Sequence, residues 1–153
     1  MEKQANSRNC FVCGVENPFG LHLKFYSSGP GEVTVNLTIP EQYQGYPGIL
    51  HGGIAAAILD ETAGRAHIGG YPPRFMFTAK IEVRYRKNVP VGEPLKIIGK
   101  AGRSRGRTAE SWAGIYNQDG ALLAEADVLL IDVPAPPDDV ELESFGWKVY
   151  PDS

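Results

Sequence analysis

The stretch Gly48-Ile49-Leu50-His51-Gly52-Gly53-Ile54-Ala55-Ala56-Ala57-Ile58-Leu59-Asp60-Glu61 decides the fold. It contains no proline and is rich in alanine and long aliphatic residues, so a helix is expected from about Gly52 to about His67. Gly69-Gly70 and Pro72-Pro73 should end it. From Ile54 to Leu59 the run is apolar all round, and a helix without a polar face is a buried one. The run is far too short to cross a bilayer.

On both sides of this helix the sequence alternates. Residues 21–28 set Leu21, Leu23 and Phe25 against His22 and Lys24, and residues 32–39 alternate again beyond the turn Gly29-Pro30-Gly31, which reads as a hairpin. Residues 74–87 place Phe75, Phe77, Ala79, Ile81, Val83 and Tyr85 on one phase. Arg74, Met76, Thr78, Lys80, Glu82, Arg84 and Arg86 fall on the other. Strands over 94–103, 107–117 and 121–132 follow, with turns at 102–106 and at Gln118-Asp119-Gly120. One apolar helix and about six antiparallel strands bury their faces most simply as a curved sheet wrapped round the helix, an α+β architecture. Such a sheet leaves an edge strand open, and pairing that edge with a second copy predicts a homodimer.

The 153 residues fit a single domain. Its core is expected over 20–133, with a Pro-rich acidic extension over 134–153 held to the surface by Phe145, Trp147 and Tyr150. A net charge of −3 argues against a dedicated nucleic-acid binder. The polar first nine residues hold no secretory apolar segment, so a soluble cytoplasmic protein without a membrane partner is expected. Cys10 and Cys13 form a C-F-V-C pair, for which a metal knuckle, a redox pair and a structural role are the alternatives. Zinc normally takes four ligands and no second cysteine pair exists, so no metal is assigned and the pair is read as structural.

Two features of the helix carry chemistry. At its start, Gly52 and Gly53 leave backbone N–H groups free at the positive end of the helix dipole, as a developing oxyanion requires. At its far side, Asp60 follows an apolar run, where a partly desolvated carboxylate suits base or nucleophile work. The bland alternatives are that His51 caps or packs the helix start and that Asp60 meets a polar neighbour. Glu61 points about 100° away round the helix and is the reserve carboxylate. His51 and Asp60 are nine residues apart, about 13 Å at a rise of about 1.5 Å per residue. They cannot both reach one carbonyl from the same chain, so a shared site has to lie between two subunits.

The stretch from Gly48 to Glu61, with its H-G-G-x(6)-D spacing, resembles the signature of hotdog-fold acyl-CoA thioesterases of the phenylacetate-degradation (PaaI-like) type. The upstream C-F-V-C-G-V-E-N-P-F-G-L resembles the N-terminal segment of many members, and the likeness covers roughly residues 10–132. It implies a hotdog fold and hydrolysis of an acyl-CoA to free acid and coenzyme A, without a cofactor. It implies that Gly52, with Gly53 beside it, donates N–H to the thioester oxygen, and that Asp60 acts as base on water or as nucleophile. It further implies that His51 positions the thioester and that Thr78 orients the attacking water. Some members carry Asn or Gln a few residues before the motif; here Gly45 stands near that position, with Gln44 beside it. Hotdog dimers often pair again into tetramers. Two other readings of the same fold remain open: a hydratase or dehydratase of acyl thioesters, and a non-catalytic binder of acyl-CoA or aromatic ligands.

Coenzyme A carries a diphosphate and a 3′-phosphate, which Arg and Lys recognise. Two clusters qualify: Arg84, Arg86 and Lys87 at the end of the long strand, and Arg103, Arg105 and Arg107 in the G-R-S-R-G-R-T hairpin. The acyl group is expected between helix and sheet, against apolar side chains such as Phe75 and Phe77 or their dimer partners.

Overall fold

The computed structural model describes residues 1–69 and 73–152; Gly70 and Pro72, expected among the helix terminators, lie outside them. The strands are β1 (Glu2–Lys3), β2 (Tyr26–Gly29), β3 (Glu32–Thr38), β4 (Met76–Tyr85), β5 (Pro94–Arg105), β6 (Thr108–Tyr116) and β7 (Leu122–Asp132). The helices are α1 (Gly52–Arg65) and the short α2 (Asp139–Ser144). All strands join one antiparallel sheet in the order β1-β2-β3-β5-β6-β7-β4. This is the expected hotdog arrangement, with β1 added to the six anticipated strands. No helix among the described residues is long and apolar enough to cross a membrane.

Helix α1 packs on β5, β6 and β7 through Ala55, Ile58, Leu59, Thr62 and Ala63, all buried. Facing them are Ile97, Ala113, Ile115, Ala126, Val128 and Leu130. Close approach is possible because β5 presents Gly99 beneath the helix: a Cβ there would stand 2.5 Å from the carbonyl oxygen of Thr62. The helix is not covered all round, however. Gly52 and Gly53 are exposed, and Ala56, Ala57, Asp60 and Gly64 are half-buried. Added atoms at Gly64 would meet open space. Small apolar residues and one carboxylate thus form a second face, which the sequence pattern hides because alanine and glycine do not distinguish a buried face from an open one.

Strand β4 departs from the alternation read in its sequence. Its pairing with β7 runs Met76 to Asp132, Phe77 to Ile131 and Thr78 to Leu130, then resumes with Lys80 opposite Leu129 and Ile81 opposite Val128. Ala79 is an extra residue, a β-bulge, and it exchanges the two faces of the strand. Before it, Met76 and Thr78 share the helix-side face with buried Leu130; after it, Ile81 and Val83 do so opposite Val128 and Ala126. Phe77 consequently turns outward, 60% exposed, and does not line the interior as expected. Among the described residues, β4 pairs only with β7, and its other edge meets no strand.

The expected first strand is short. Over 21–25 the backbone bonds to the N-terminal segment instead: Leu23 N–H reaches Val12 O and Gln4 N–H reaches Phe25 O. His22 adopts φ 54°, which breaks the strand before Tyr26. The buried Asn6 amide holds the segment together by donating to Cys13 O and Leu23 O. The C-terminal extension is ordered as α2 and a return run whose Lys148 bridges Asn6.

Candidate functional site

His51 caps α1: its Nδ1 accepts the Gly53 N–H at 2.9 Å. That bond fixes the tautomer, since a neutral ring accepting at Nδ1 carries its proton at Nε2. It also occupies the Gly53 donor, so Gly53 does not offer an N–H to a substrate here. The Gly52 N–H finds no acceptor among the described residues and remains available. Tyr85, at the end of β4, donates its hydroxyl to Gly52 O at 2.6 Å and fixes the orientation of this peptide turn. A Cβ on Gly52 would make ordinary contact with the Tyr85 hydroxyl at 3.5 Å, whereas one on Gly53 would press on the imidazole at 3.1 Å. A cleft of about 460 Å³ opens here, lined among others by Tyr46, His51, Gly52, Tyr85 and Lys87.

Asp60 faces a different cleft. The Thr78 hydroxyl donates to Asp60 Oδ1 at 2.5 Å, a bond that the bulge at Ala79 permits by turning Thr78 toward the helix. This cleft, about 310 Å³, is lined by Asp60, Glu61, Cys10, Cys13, Phe75, Met76, Thr78 and the tail residues Phe145 and Trp147. Phe75 meets Trp147 edge-on with ring centroids 5.0 Å apart, giving the cleft an aromatic wall. Glu61 lies beside Asp60 but is engaged with buried Arg65, at 3.2 Å. Desolvation pushes its carboxyl up to about 7, against the pull of the Arg65 guanidinium.

The basic residues separate by surroundings. Arg84 bonds Asp127 and Glu82 across the outer face of the sheet, and the Asp127 carboxylate first among them holds the guanidinium charged. Arg86 pairs with Glu125, whose carboxyl is held below its ordinary range by the Trp112 N–H and then by Arg86 itself. Lys87 lines the cleft at the helix start. Arg103, Arg105 and Arg107 are exposed at the β5–β6 hairpin, which Arg74 ties to β4 by bonding both Ser104 and Asp132. Gln44 accepts the Gly48 N–H at 3.0 Å and so shapes the loop that leads into His51.

One chain therefore brings Thr78 to Asp60, and His51 to Gly52 and Gly53, but leaves the two groups in separate clefts. Tyr85, Trp147 and Arg65 were not foreseen as site residues. Tyr85 had a legible place, in the alternation of β4, but its hydrogen bond to a helix start more than thirty residues earlier left no local signal.

The chain matches the thioesterase superfamily profile over residues 47–124, about half of its length. It is 30% identical over 132 residues to acyl-coenzyme A thioesterase THEM4 of Xenopus laevis, covering 85% of this chain and 57% of that one. To the protein of the same name in Rattus norvegicus it is 25% identical over 107 residues, covering 69% and 45%. The chain thus spans about half the length of the curated relatives it matches. Among solved structures, a thioesterase superfamily protein superposes with a TM-score of 0.74 at 31% identity, covering 81% of this chain and 63% of that one. A Streptococcus mutans UA159 protein bound to acetyl CoA superposes with a TM-score of 0.65 at 22% identity, covering 72% and 88%, a likeness of fold alone. Profile, sequence and fold agree: the chain belongs to the thioesterase superfamily.

Proposed function

We propose that the protein hydrolyses acyl-CoA thioesters to free acid and coenzyme A, at a site completed between two subunits. One observation carries the reading: the free Gly52 N–H and the Thr78-held Asp60 carboxylate open into separate clefts at opposite ends of β4, whose outer edge meets no strand among the described residues. Antiparallel pairing of two β4 edges centred on Glu82, with Ala79 left unpaired in each strand, sets Thr78 of one chain opposite Tyr85 of the partner subunit. Asp60 then faces Gly52 of the partner subunit, as the helix-length argument requires.

In this arrangement the thioester carbonyl points at the Gly52 N–H. The donor stands at the positive end of the α1 dipole and costs no reorganisation when the oxygen becomes an oxyanion. Asp60 takes a proton from a water molecule that attacks the carbonyl carbon. Thr78 occupies Oδ1, which leaves Oδ2 directed at that water. Collapse of the tetrahedral intermediate expels the coenzyme A thiolate and releases the acid. His51 shapes the oxyanion turn through its bond to Gly53. Lys87 and the hairpin arginines Arg103, Arg105 and Arg107 are placed to meet the coenzyme phosphates. Arg84 and Arg86 are already engaged in cross-strand pairs and contribute to the sheet instead. Two curated relatives bear the name acyl-coenzyme A thioesterase, and the Streptococcus mutans protein of this fold is solved with acetyl CoA.

The test is thiol release from a panel of acyl-CoAs, with Asp60→Asn in parallel and the molar mass measured in solution. Turnover that falls by about 10²–10⁴ in Asp60→Asn is expected from loss of a general base, together with a dimer or a larger even assembly. No turnover of any acyl-CoA by the wild type sinks the reading, and an active monomer sinks the shared site.

A further inference from the structure

Cys10 and Cys13 take no part in the reaction just described, yet the fold assembles them with care. The N-terminal segment is pinned by Asn6, and the turn after it brings both sulfurs to the side of α1. Cys10 Sγ, Cys13 Sγ and a Glu61 carboxylate oxygen lie within 4.8 Å of one another, and Cys10 Sγ stands 3.1 Å from Glu61 Oε1. In a tetrahedral zinc site with Zn–S of about 2.3 Å and Zn–O of about 2.0 Å, ligand atoms stand about 3.5–3.8 Å apart. The three atoms need only small adjustments to enclose such an ion.

The turn itself has the form a thiolate ligand pair uses. The sequence is Cys10-Phe11-Val12-Cys13-Gly14, within the ligand spacing of zinc knuckles. The Val12 N–H is directed at Cys10 Sγ at 3.4 Å, and the Ser7 hydroxyl lies 3.5 Å from Cys13 Sγ, so donors already surround both sulfurs. Gly14 N–H closes the turn onto Cys10 O at 2.8 Å, and a Cβ on Gly14 would stand 2.4 Å from that oxygen. Only glycine fits there.

Charge gives a second, independent argument. Two thiolates and the Glu61 carboxylate sum to −3, and buried Arg65, bonded to Glu61, supplies +1. A divalent cation brings the cluster to zero.

We propose that Cys10, Cys13 and Glu61 bind a soft divalent cation of the zinc class, with water from the adjoining cleft as fourth ligand. The ion clamps the N-terminal segment to α1 one residue beyond Asp60, on the wall of the cleft that also holds Asp60 and Thr78. The proposal does not depend on the thioesterase reading and routes no step of hydrolysis through the ion.

Cobalt(II) is a spectroscopic probe for this site. Metal-stripped full-length protein, kept reduced by a non-thiol reductant, is titrated with cobalt(II) and followed by absorption. The expected result is a thiolate-to-cobalt charge-transfer band with tetrahedral ligand-field bands, saturating at one ion per chain and bleached by zinc. Cys10→Ser and Cys13→Ser should each abolish the band. Glu61→Gln should keep it but weaken binding at least tenfold. Absence of the band in the wild type overturns the proposal, whatever the variants do. A Glu61→Gln protein that folds and binds cobalt with wild-type affinity also overturns the ligand set.

Discussion

Thr78→Val is the sharpest probe of the proposed chemistry, because it changes one hydrogen bond and almost no volume. Thr78 reaches Asp60 only because Ala79 bulges, and its hydroxyl donates to Oδ1 at 2.5 Å. A hydrogen bond to a charged group is worth about 1.5–3 kcal/mol. If that bond fixes the carboxylate in its working orientation, kcat should fall between about 10- and 150-fold, since each 1.36 kcal/mol is tenfold in rate. KM should change little, because Thr78 touches the base and not the coenzyme. The assay is steady-state thiol release from the best acyl-CoA, for the wild type, Thr78→Val, Thr78→Ser, Asp60→Asn and the Thr78→Val/Asp60→Asn pair. Thr78→Ser should recover most of the rate. The double variant should be no slower than Asp60→Asn alone, because groups acting as one unit are not additive. A Thr78→Val enzyme with wild-type kcat, or a double variant in which the two losses multiply, would refute the claim that Thr78 acts through Asp60.

Three further outcomes follow from the packing and the charges. Arg65 is only 4% exposed, is bonded to Glu61 and Ala5 O, and stacks over Phe25 at 4.2 Å; Arg65→Met leaves the half-buried Glu61 carboxylate without its partner and should cost about 1–3 kcal/mol in chemical denaturation. Gly99→Ala drives a methyl against the Thr62 carbonyl and should cost about 1–3 kcal/mol, seen as a lower Tm, because neither the helix backbone nor β5 can yield cheaply. Lys87→Ala should raise KM for acyl-CoA most at low salt, whereas Arg84→Ala, with its guanidinium already held by Asp127 and Glu82, should leave KM within about twofold, comparable to the small worth of an exposed ion pair. Equal KM effects of the two would mean that the outer sheet face binds the coenzyme.

Much of this structure could be read from the sequence, and the parts that could not share a cause. The helix was legible from its alanine-rich run, and β5, β6 and β7 from alternation ended by turn residues. The bulge at Ala79 was not. Alternation on either side of it is regular, and alanine carries no mark of an extra residue, so the sequence assigned Phe77 inward and Thr78 outward. Thr78 entered the candidate set through family likeness, not through its phase. The cysteine pair posed the opposite difficulty. Its spacing was visible, but the third group of the proposed site comes from Glu61, more than forty residues away, through a packing contact that no local pattern encodes. Trp147 was expected to hold the tail; it packs edge-on against Phe75, and that it walls the Asp60 cleft depends on the tail crossing back over Phe75.

The bulge, the open edge and the divided site are linked. Without Ala79 as an extra residue, Thr78 and Tyr85 would fall on opposite faces of β4, because they are an odd number of residues apart. With it, both turn toward α1: Thr78 to the Asp60 carboxylate and Tyr85 to the Gly52 carbonyl. One strand therefore holds the proposed general base at one end and the proposed oxyanion turn at the other. A single chain cannot use both, since the helix that connects them is rigid and about 13 Å separates their positions along it. A two-fold axis across the free edge of β4 reverses the strand in the partner and superimposes the unlike ends. In the proposed dimer the edge that would otherwise invite aggregation becomes the device that assembles the catalytic groups. Loss of edge pairing should then abolish turnover without unfolding the protomer, whose core lies between α1 and β5, β6 and β7.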